Sequence, residues 1–370
     1  MATPPPSMEA PLSPPSQLSP RLSVSVIVPV FNGGLNFRRC LSSLTEAMPP
    51  ADEIIVVGDG DTDGSSRLAE AFASKVLRIP TPNGPARARN LGARSAKGDI
   101  LFFVDADVTI PPDLIGQVVA HFRADPDLTA LLGSYDDEPS ETNFLSQYKN
   151  LFHHYVHQTA REEASTFWGA CGAIRRDVFM SMDGFDEQYR QPSIEDIELG
   201  YRLKRSGYKI CLFKTLQVKH LKRWGVRSLL KTDFLQRALP WTRLILKDRR
   251  MINDLNLGLS SRMSVMMIYG LIAVLIGAWQ WPFLLVVAVF LLLALLALNA
   301  PLYRFFKRKR GVGFTVKSIA WHWVYYFYGG LAFAIGLGQS LASKSPSMKS
   351  RSQAPPKQGV GTGRVSDLGS

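Results

Sequence analysis

The chain has little cysteine, and over one long stretch it has no charge. Its 370 residues include only Cys40, Cys171 and Cys211, which lie far apart and form no C-x-x-C pair. Neither a disulfide framework nor a zinc site is therefore predicted, and a reducing compartment fits. The hydrophobic fraction of 46% excludes a disordered chain, and the charged fraction of 20% excludes a simple multi-span carrier.

Acidic and basic residues are segregated along the sequence. Residues 101–200 carry 18 acidic and 6 basic side chains, whereas residues 201–250 carry 2 acidic and 15 basic ones. A nucleic-acid binder needs a continuous basic face, which this arrangement does not provide. It is typical of a cation-handling site next to an anionic surface, and no nucleic-acid partner is expected.

Uncharged runs near the C-terminal end predict a membrane region at 262–343. The 41 residues between Arg262 and Arg304 include no charged side chain. A straight helix of that length would measure roughly 60 Å, about twice the hydrocarbon thickness. We therefore expect two spans joined at Gln280-Trp281-Pro282. A second uncharged run, 318–343, predicts either a third span or a helix lying in the interface.

Basic residues set the expected topology. Residues 304–317 carry six lysines and arginines, so the positive-inside rule predicts a multi-pass protein of the cell membrane whose first 260 residues are cytoplasmic. Residues 213–261 interleave basic and apolar side chains, which predicts amphipathic helices at the interface or a basic collar that only fixes topology. Residues 1–21 are rich in proline and serine and lack signal-peptide features. Together with 344–370, they are predicted to be disordered tails.

Residues 22–212 predict an α/β domain. Apolar, β-branched runs alternate with amphipathic helices, which indicates a mostly parallel sheet covered on both faces. Ligands of such sheets bind at the carboxyl ends of the strands. Polar residues follow three of the expected strands: Phe31-Asn32-Gly33-Gly34, Gly58-Asp59-Gly60-Asp61 and Asp105-Ala106-Asp107.

The D-x-D pair Asp105 and Asp107 has two interpretations. It is either a hydrated acidic turn or a ligand set for Mg²⁺ or Mn²⁺, which also grips a diphosphate. Because the pair ends a buried strand, where unpaired carboxylates are costly, the metal interpretation is favoured. A second D-x-D, Asp125-Pro126-Asp127, follows a predicted helix and indicates a solvated turn.

Four segments resemble the family-2 glycosyltransferases in order and spacing: VIVPVFNGG, EIIVVGDGDTDGS, ARARNLGARSAKGDILFFVDADV and EDIELGYRL. The resemblance covers residues 22–245 and implies a Rossmann-like GT-A sandwich, a UDP- or GDP-sugar donor, a divalent metal and inverting hexosyl transfer.

Site residues are carried over by position from this resemblance. Pro29, Phe31 and Asn32 would line the base and ribose pocket with Asp59. Asp105 and Asp107 would hold metal and donor, and Asp196 would be the general base. Gly58 stands where the family has an acidic residue, so the base-recognising carboxylate is either Asp59 or Asp61.

Arg89 lies in a segment that matches the family's A-R-N, and it is the arginine predicted to meet the donor phosphates. Arg94 and Lys97 on the same helix are expected to be solvated. Trp168 and Gly169 resemble the acceptor-side segment of these enzymes, and the predicted acceptor side also includes Glu195. Ser193-Ile194-Glu195-Asp196 fits a capping box as well, which is compatible with a catalytic base at Asp196.

His220-Leu221-Lys222-Arg223-Trp224 resembles the Q-x-x-R-W of processive synthases, with histidine in place of glutamine. His220, Arg223 and Trp224 are assigned to the acceptor side; His220 contacts metal or diphosphate, or is structural. The leading hypothesis is a membrane enzyme that transfers one sugar to a lipid or polyprenyl-phosphate acceptor. The alternatives are a processive polysaccharide synthase and a non-catalytic membrane scaffold.

Overall fold

The computed structural model describes residues 21–248 and 255–344. Of the predicted tails at 1–21 and 344–370, residues 1–20 and 345–370 lie outside the described residues. Residues 21–220 form a sheet domain, and the described residues after 220 are mainly helical.

Eight strands build one sheet. Their bounds are β1 Val24–Val30, β2 Glu53–Asp59, β3 Lys75–Ile79, β4 Ile100–Val104, β5 Val108–Thr109, β6 Leu128–Tyr135, β7 Cys171–Arg175 and β8 Lys209–His220. The order is β3-β2-β1-β4-β7-β6-β8-β5. Four of the seven pairings are parallel, so the predicted mixed, mostly parallel α/β sheet is confirmed.

Helices connect the strands and cover both faces. They are α1 Gly34–Thr45, α2 Ser65–Ala69, α3 Pro85–Ser95, α4 Leu114–Ala124, α5 Phe144–Thr159, α6 Arg176–Ser181 and α7 Glu195–Arg205. The core lies between these layers, because β1 and β4 are buried along their whole length and α1 buries Phe37, Leu41 and Leu44 against them. Cys40, Cys171 and Cys211 are all free, as predicted.

The order in which the chain adds strands to the sheet reverses between β1 and β4, although these two strands are parallel. From β1 it moves outward through β2 to β3, and then crosses to β4 on the other side of β1. In parallel sheets a crevice opens at this switch point, outside the carboxyl ends of the strands. The polar segments that follow β1, β2 and β4 therefore meet there, as the sequence predicts.

The sheet extends past the predicted domain boundary at residue 212. Strand β8 runs to His220 because its last residues pair with β5, the short strand directly after Asp107. Residues 213–220 are therefore sheet rather than interface helix.

A helical region follows the sheet. It comprises α8 Val226–Leu230, a π-helix at Lys231–Ala238, α9 Leu239–Asp248, a 3₁₀ turn at Leu255–Leu257, α10 Leu259–Gly277, α11 Leu284–Leu298 and α12 Ala300–Lys344. The break between α10 and α11 falls at Gln280-Trp281-Pro282, where the sequence places it. Helix α12 is kinked at Gly311 (φ 80°).

One described helix, α10, is long and apolar enough to cross a membrane. A second candidate arises if α11 and Ala300–Ala342 are counted as one broken span, bent by 62°. Large apolar side chains on α11 and in the turn before it are exposed, Trp279 at 94% and Phe290 at 68%. The run 318–343, for which two placements were open, is part of α12.

The basic segment before the kink packs on the sheet domain. Leu302, Phe305 and Phe306 of α12 form one apolar cluster with α5. Next to it, the Arg310 guanidinium donates to Gln147 Oε1 at 2.6 Å, and Lys309 pairs with Asp137. The first turns of α12 thus lie against the α/β domain, which fixes the apolar helices beside its crevice.

Candidate active site

The loop after β2 explains why Gly58 departs from the family pattern. The Asp61 carboxylate accepts hydrogen bonds from the backbone and hydroxyl of Ser66, at the start of α2. A Cβ at position 58 would collide with both of these side chains. Position 58 has no room for an acid because Asp61 already occupies that space.

Asp59 is the buried carboxylate of this loop. It is 5% exposed, and its two oxygens accept hydrogen bonds from the backbone N–H groups of Asn83 and Gly84 at 2.9 and 2.8 Å. It thus joins the end of β2 to the loop before α3. The choice between Asp59 and Asp61 for contacting a base stays open, since each carboxylate is held by local hydrogen bonds.

Pro29, Phe31 and Asn32 lie at the carboxyl end of β1. Pro29 is buried within the strand, whereas Phe31 is 54% exposed at the mouth of the crevice. Asn32 has a positive φ of 50°, and its side-chain oxygen accepts a hydrogen bond from Thr62 N at 2.8 Å. The exposed ring of Phe31 is therefore free to stack on a planar ligand, which fits the predicted base contact.

Arg89 is buried between two carboxylates. Its guanidinium donates to Asp105 Oδ1 at 2.6 Å and to Glu195 Oε1 at 2.9 Å, and the side chain is 5% exposed. Arg89 therefore holds Asp105 in place instead of projecting freely toward a phosphate. Glu195, which was assigned to the acceptor side, lies on this side of the site as its second partner.

His220 lies against Asp107. The pairing of β5 with β8 sets Val108 opposite His220, and the imidazole Nε2 is 3.6 Å from Asp107 Oδ2. Burial alone would raise the pKa of Asp107, but His220 and Lys222 outweigh it and hold that pKa at about 2. His220 thus belongs with the D-x-D pair and not with the acceptor side.

These residues fit a hard divalent cation. Asp105 and Asp107 are each about one-third exposed to the crevice, and His220 adds one nitrogen donor. Within residues 21–248 and 255–344, no group of three His, Cys, Asp or Glu side chains has metal-binding geometry. Mg²⁺ in phosphate-transfer sites is commonly held by one or two carboxylates together with the phosphates of the substrate. A partial protein ligand set of this kind suits such an ion.

Asp196 follows Glu195 in the chain and lies on the side of the site that faces the Gly169 backbone rather than the D-x-D pair. Its Oδ2 accepts a hydrogen bond from Gly169 N at 3.1 Å, and burial, reinforced by the charge of Glu195, raises its pKa to about 6. The capping box is not formed: α7 begins after Ile194, and the Ser193 hydroxyl donates to the carbonyl oxygen of Gln236. Asp196 Oδ1 accepts a hydrogen bond from Ile197 N in the first turn of α7 at 2.8 Å, so both carboxylate oxygens are held by backbone N–H groups.

Gly169 contacts both the Arg89 guanidinium and the Asp196 carboxylate. A Cβ at this position would lie 2.9 Å from Cζ of Arg89, so only glycine permits the close approach of backbone and guanidinium. Trp168, next to it, packs edge-on against Tyr135, which in turn stacks on His220 with ring centroids 4.4 Å apart. These aromatic contacts connect the metal side of the site to the side that carries Asp196.

A cavity of about 760 Å³ opens beyond Asp196. Its polar lining includes Lys149, Asp233 and Arg237, and its apolar lining comes from α9, α10 and α12. Two histidines of α5, His153 and His157, also line it, and burial lowers the pKa of both. Sequence reasoning missed these residues, although the i, i+4 spacing of the two histidines on one helix face was a readable signal.

Of the remaining candidates, Trp224 adjoins the site through its ring, whose centroid is 6.4 Å from that of His220, and the others lie outside it. Arg223 is 72% exposed and pairs with Glu141, and Trp224 is buried with its backbone held by Ser146 and Asn143. Arg94 and Lys97 are exposed, as predicted. The second D-x-D is a surface turn in which Asp125 pairs with Lys209. It precedes β6 and so lies at the amino end of that strand, whereas the crevice lies at the carboxyl ends of the parallel strands.

Family comparisons agree with the geometry. Residues 25–182 match the model of glycosyl transferase family 2, and residues 150–224 match a model described as the N-terminal domain of galactosyltransferase. The sheet domain belongs to glycosyl transferase family 2. The first match covers the residues from β1 to α6, including the D-x-D pair, and the second reaches His220. Asp196 and Trp168 fall in the second match.

Curated relatives cover this glycosyltransferase domain. The glycosyltransferase GlyG of Streptococcus pneumoniae is 30% identical over 127 residues, 33% of this chain and 42% of that protein. The pre-mycofactocin glycosyltransferase of Mycobacterium tuberculosis is 28% identical over 226 residues, 58% and 46% of the two chains. An uncharacterized glycosyltransferase of Haemophilus influenzae is 26% identical over 234 residues, 60% and 76%. This chain therefore spans less than half the length of several relatives that it matches.

A solved structure shows the same fold over a longer stretch. The mannosyltransferase PcManGT from Pyrobaculum calidifontis superposes with a TM-score of 0.53 at 19% identity, covering 87% of this chain and 90% of that one. The GT-A fold of the glycosyltransferase domain, implied by the motifs, is thereby confirmed.

Proposed function

We propose that this chain is a membrane-bound, inverting glycosyltransferase. It transfers one sugar from a nucleotide-diphosphate donor to a lipid or lipid-linked acceptor at the cytoplasmic face of the cell membrane. The observation that carries the proposal is the position of Glu195 and Asp196. Through Arg89, Glu195 faces the D-x-D crevice, and Asp196 faces a cavity walled by apolar helices.

The crevice has the features of a nucleotide-sugar site. It lies at the switch point of the sheet, carries an exposed aromatic ring at Phe31 and ends in two carboxylates beside a histidine. The solved structure of the mannosyltransferase of similar fold is in complex with GDP-Man and Mn²⁺. Here Asp105, Asp107 and His220 would hold Mg²⁺ or Mn²⁺, which would stabilise charge on the leaving diphosphate.

Asp196 is the proposed general base. With a pKa of about 6 it is ionised at neutral pH and remains basic enough to accept a proton from an acceptor hydroxyl. As that proton moves to Asp196, the acceptor oxygen forms a bond to the anomeric carbon, and the bond from that carbon to the donor phosphate breaks. The nucleoside diphosphate leaves with the electron pair, and one displacement inverts the anomeric configuration.

The C-terminal helices support a lipid acceptor. Helix α10 can span a bilayer by length and composition, and α10 and α12 supply part of the cavity wall. Holding the site at the headgroup layer raises the local concentration of a membrane-bound substrate. Lys309 and Arg310 contact the sheet domain, which supports a topology with the basic flank and the glycosyltransferase domain on the same side of the membrane. Under the positive-inside rule that side is the cytoplasmic one.

A panel of nucleoside diphosphates, with and without Mg²⁺ or Mn²⁺, tests the donor site by thermal shift. A selective ligand raises the melting temperature because it binds the native state. We expect one nucleotide to stabilise the protein in the presence of metal, and the matching nucleotide sugar to give a product that carries a single added sugar by mass spectrometry. A polymeric product would favour a processive synthase. The absence of stabilisation and turnover with every nucleotide sugar would favour a scaffold.

A further inference from the structure

Arg237 is an unpaired cation in the acceptor cavity. It is exposed and lines the cavity. The charges of Asp233 and Asp196 attract it, but within the described parts of the chain its guanidinium makes no direct hydrogen bond or ion pair. The neighbouring charges are already engaged: Lys149 pairs with Asp233 at 2.6 Å, and Arg262 donates to the carbonyl oxygen of Leu257.

The backbone that carries Arg237 is unusual. Lys231–Ala238 is a π-helix, a geometry that is rare and frequent at functional sites. Its position is fixed by side chains from three other elements. Asp233 accepts from Lys149 of α5 and from the Tyr328 hydroxyl of α12, and the carbonyl oxygen of Gln236 accepts from Ser193, just before α7. The π-helix thus holds Arg237 beside Asp196, and the arginine charge lowers the pKa of that carboxyl in part.

The rest of the cavity wall is apolar. Trp241 and Ile245 of α9, Val265 and Met266 of α10, and Phe333 of α12 contribute to it. A guanidinium presents paired N–H groups that match a phosphate or a carboxylate. The cavity therefore provides a polar end for one oxyanion and a hydroxyl, and an apolar end for a hydrocarbon body.

We propose that the acceptor is an anionic amphiphile whose phosphate or carboxylate binds Arg237 while a neighbouring hydroxyl faces Asp196. This inference rests on the proposed function and narrows its acceptor class. A phosphate oxygen as the nucleophile is disfavoured, because an oxyanion needs no base and the Asp196 carboxylate would repel it. Arg237 is thus a specificity-determining residue for the acceptor.

Binding of three single-chain probes tests this assignment. Dodecylglycerol phosphate and N-dodecanoylserine each combine a hydroxyl with an anionic group, whereas dodecylglycerol has two hydroxyls and no charge. Dissociation constants are measured by calorimetry with the full chain in a neutral detergent. We expect the wild type to bind both anionic probes about 10-fold to 100-fold more tightly than the neutral one.

Substitutions at Arg237 test whether this residue causes the preference for the anionic probes. Arg237→Gln should abolish it, Arg237→Lys should retain most of it, and Arg237→Met, which keeps the apolar stem, is the second neutralising variant. Arg243→Gln is the matched control: Arg243 lies in α9, outside the cavity lining, where it binds Gln339. It should keep the wild-type preference.

Equal binding of the three probes by the wild type would overturn the proposal. So would an undiminished preference in a folded Arg237→Gln or Arg237→Met variant. Thermal stabilisation by the nucleoside diphosphate verifies the fold of each variant. If no nucleotide stabilises the wild type, the proposed function has failed, and this result is independent of the probe measurement.

Discussion

Replacing Asp196 with asparagine should inactivate the enzyme and also stabilise its fold at neutral and higher pH. In the native state the pKa of Asp196 is raised from its ordinary value of 3.8 to about 6, through burial and the nearby charge of Glu195. The ionised carboxylate therefore costs native stability, by at most about 3 kcal/mol at 1.4 kcal/mol per pKa unit. Asparagine removes that cost together with the base, but it keeps only one of the two backbone hydrogen bonds that the carboxylate accepts, from Gly169 and Ile197. That loss of about 1 kcal/mol leaves a net gain of at most about 2 kcal/mol.

The sign of this effect depends on pH. Because the native state binds the Asp196 proton more tightly than the unfolded state does, stability falls as pH rises from 3.8 to about 6, and the full cost is present above that range. We expect Asp196→Asn to melt a few degrees higher than the wild type at about pH 8, at about 2–4 °C per kcal/mol. The gain should shrink as the pH falls below about 6 and disappear below 3.8, where the carboxyl is neutral in both the native and the unfolded state.

Activity provides the second measurement. Loss of a general base costs about 100-fold to 10,000-fold, and kcat/KM of the wild type should fall about tenfold per pH unit on the acid side of Asp196's pKa. Asp233→Asn is the matched control, because its carboxylate is buried but paired with Lys149 and Tyr328, so neutralising it should lower the melting temperature. An Asp196→Asn variant that is destabilised at pH 8, or that transfers sugar to a hydroxyl acceptor within about tenfold of the wild-type rate, would refute the base assignment.

Three further substitutions examine the donor side. Asp107→Ala should lose Mn²⁺-dependent nucleotide stabilisation and transfer, as should excess chelator, whereas Asp127→Ala in the surface D-x-D should be silent; equal damage from both would refute the metal assignment. Gly169→Ala should lower kcat/KM by about 100-fold, because its Cβ displaces the Arg89 guanidinium, whereas Gly313→Ala, which has open space, should not. Glu195→Gln should lower the free energy of unfolding by about 3–5 kcal/mol, measured in urea, because it leaves Arg89 buried with one carboxylate. Asp125→Asn, on the surface, should leave that free energy unchanged, and similar losses in the two variants would contradict the importance of burial.

The sheet and its crevice were predictable from sequence because their signals are local. Buried parallel strands are continuous apolar runs, and each polar segment follows its strand directly, so the convergence of Asn32, Asp59 and Asp105 follows from strand direction alone. The break between α10 and α11 at Trp281-Pro282 could be predicted for the same reason, since proline interrupts the hydrogen bonds of the helical turn in which it lies.

The arrangement of residues around the D-x-D pair could be predicted only in part from the sequence, because it depends on a strand of two residues. Val108–Thr109 is too short to show an alternation, yet its pairing with the end of β8 sets His220 beside Asp107. Without that pairing, the sequence leaves His220 either near metal and diphosphate or grouped with its chain neighbours. Of these neighbours, Arg223 lies on the surface, and the Trp224 ring lies 6.4 Å from the imidazole. The burial of Arg89 between Asp105 and Glu195 was equally hidden, because it joins residues of three distant segments.

The cavity beyond Asp196, where we propose that the acceptor binds, was the least predictable part of the site from sequence, since a π-helix has no distinct sequence period. Lys231–Ala238 contains basic and apolar residues in a pattern that indicates an ordinary amphipathic helix. The tertiary hydrogen bonds of Asp233 and Gln236 accompany its wider turn, and these partners come from α5, α12 and the segment before α7. Arg237 therefore could not be distinguished in sequence from the other basic residues of this segment.

The first two residues of α7 connect the two halves of the proposed reaction. Consecutive residues of a helix point about 100° apart, so adjacent acids at its start necessarily face different surroundings. Glu195 turns to Arg89, and through it to the D-x-D crevice, while Asp196 turns to Gly169 and the cavity. Because Glu195 also raises the pKa of Asp196, the charge that fixes Arg89 on the donor side is the one that makes Asp196 a stronger base on the acceptor side. In the proposed reaction, the dipeptide would therefore couple donor organisation to acceptor activation through electrostatics.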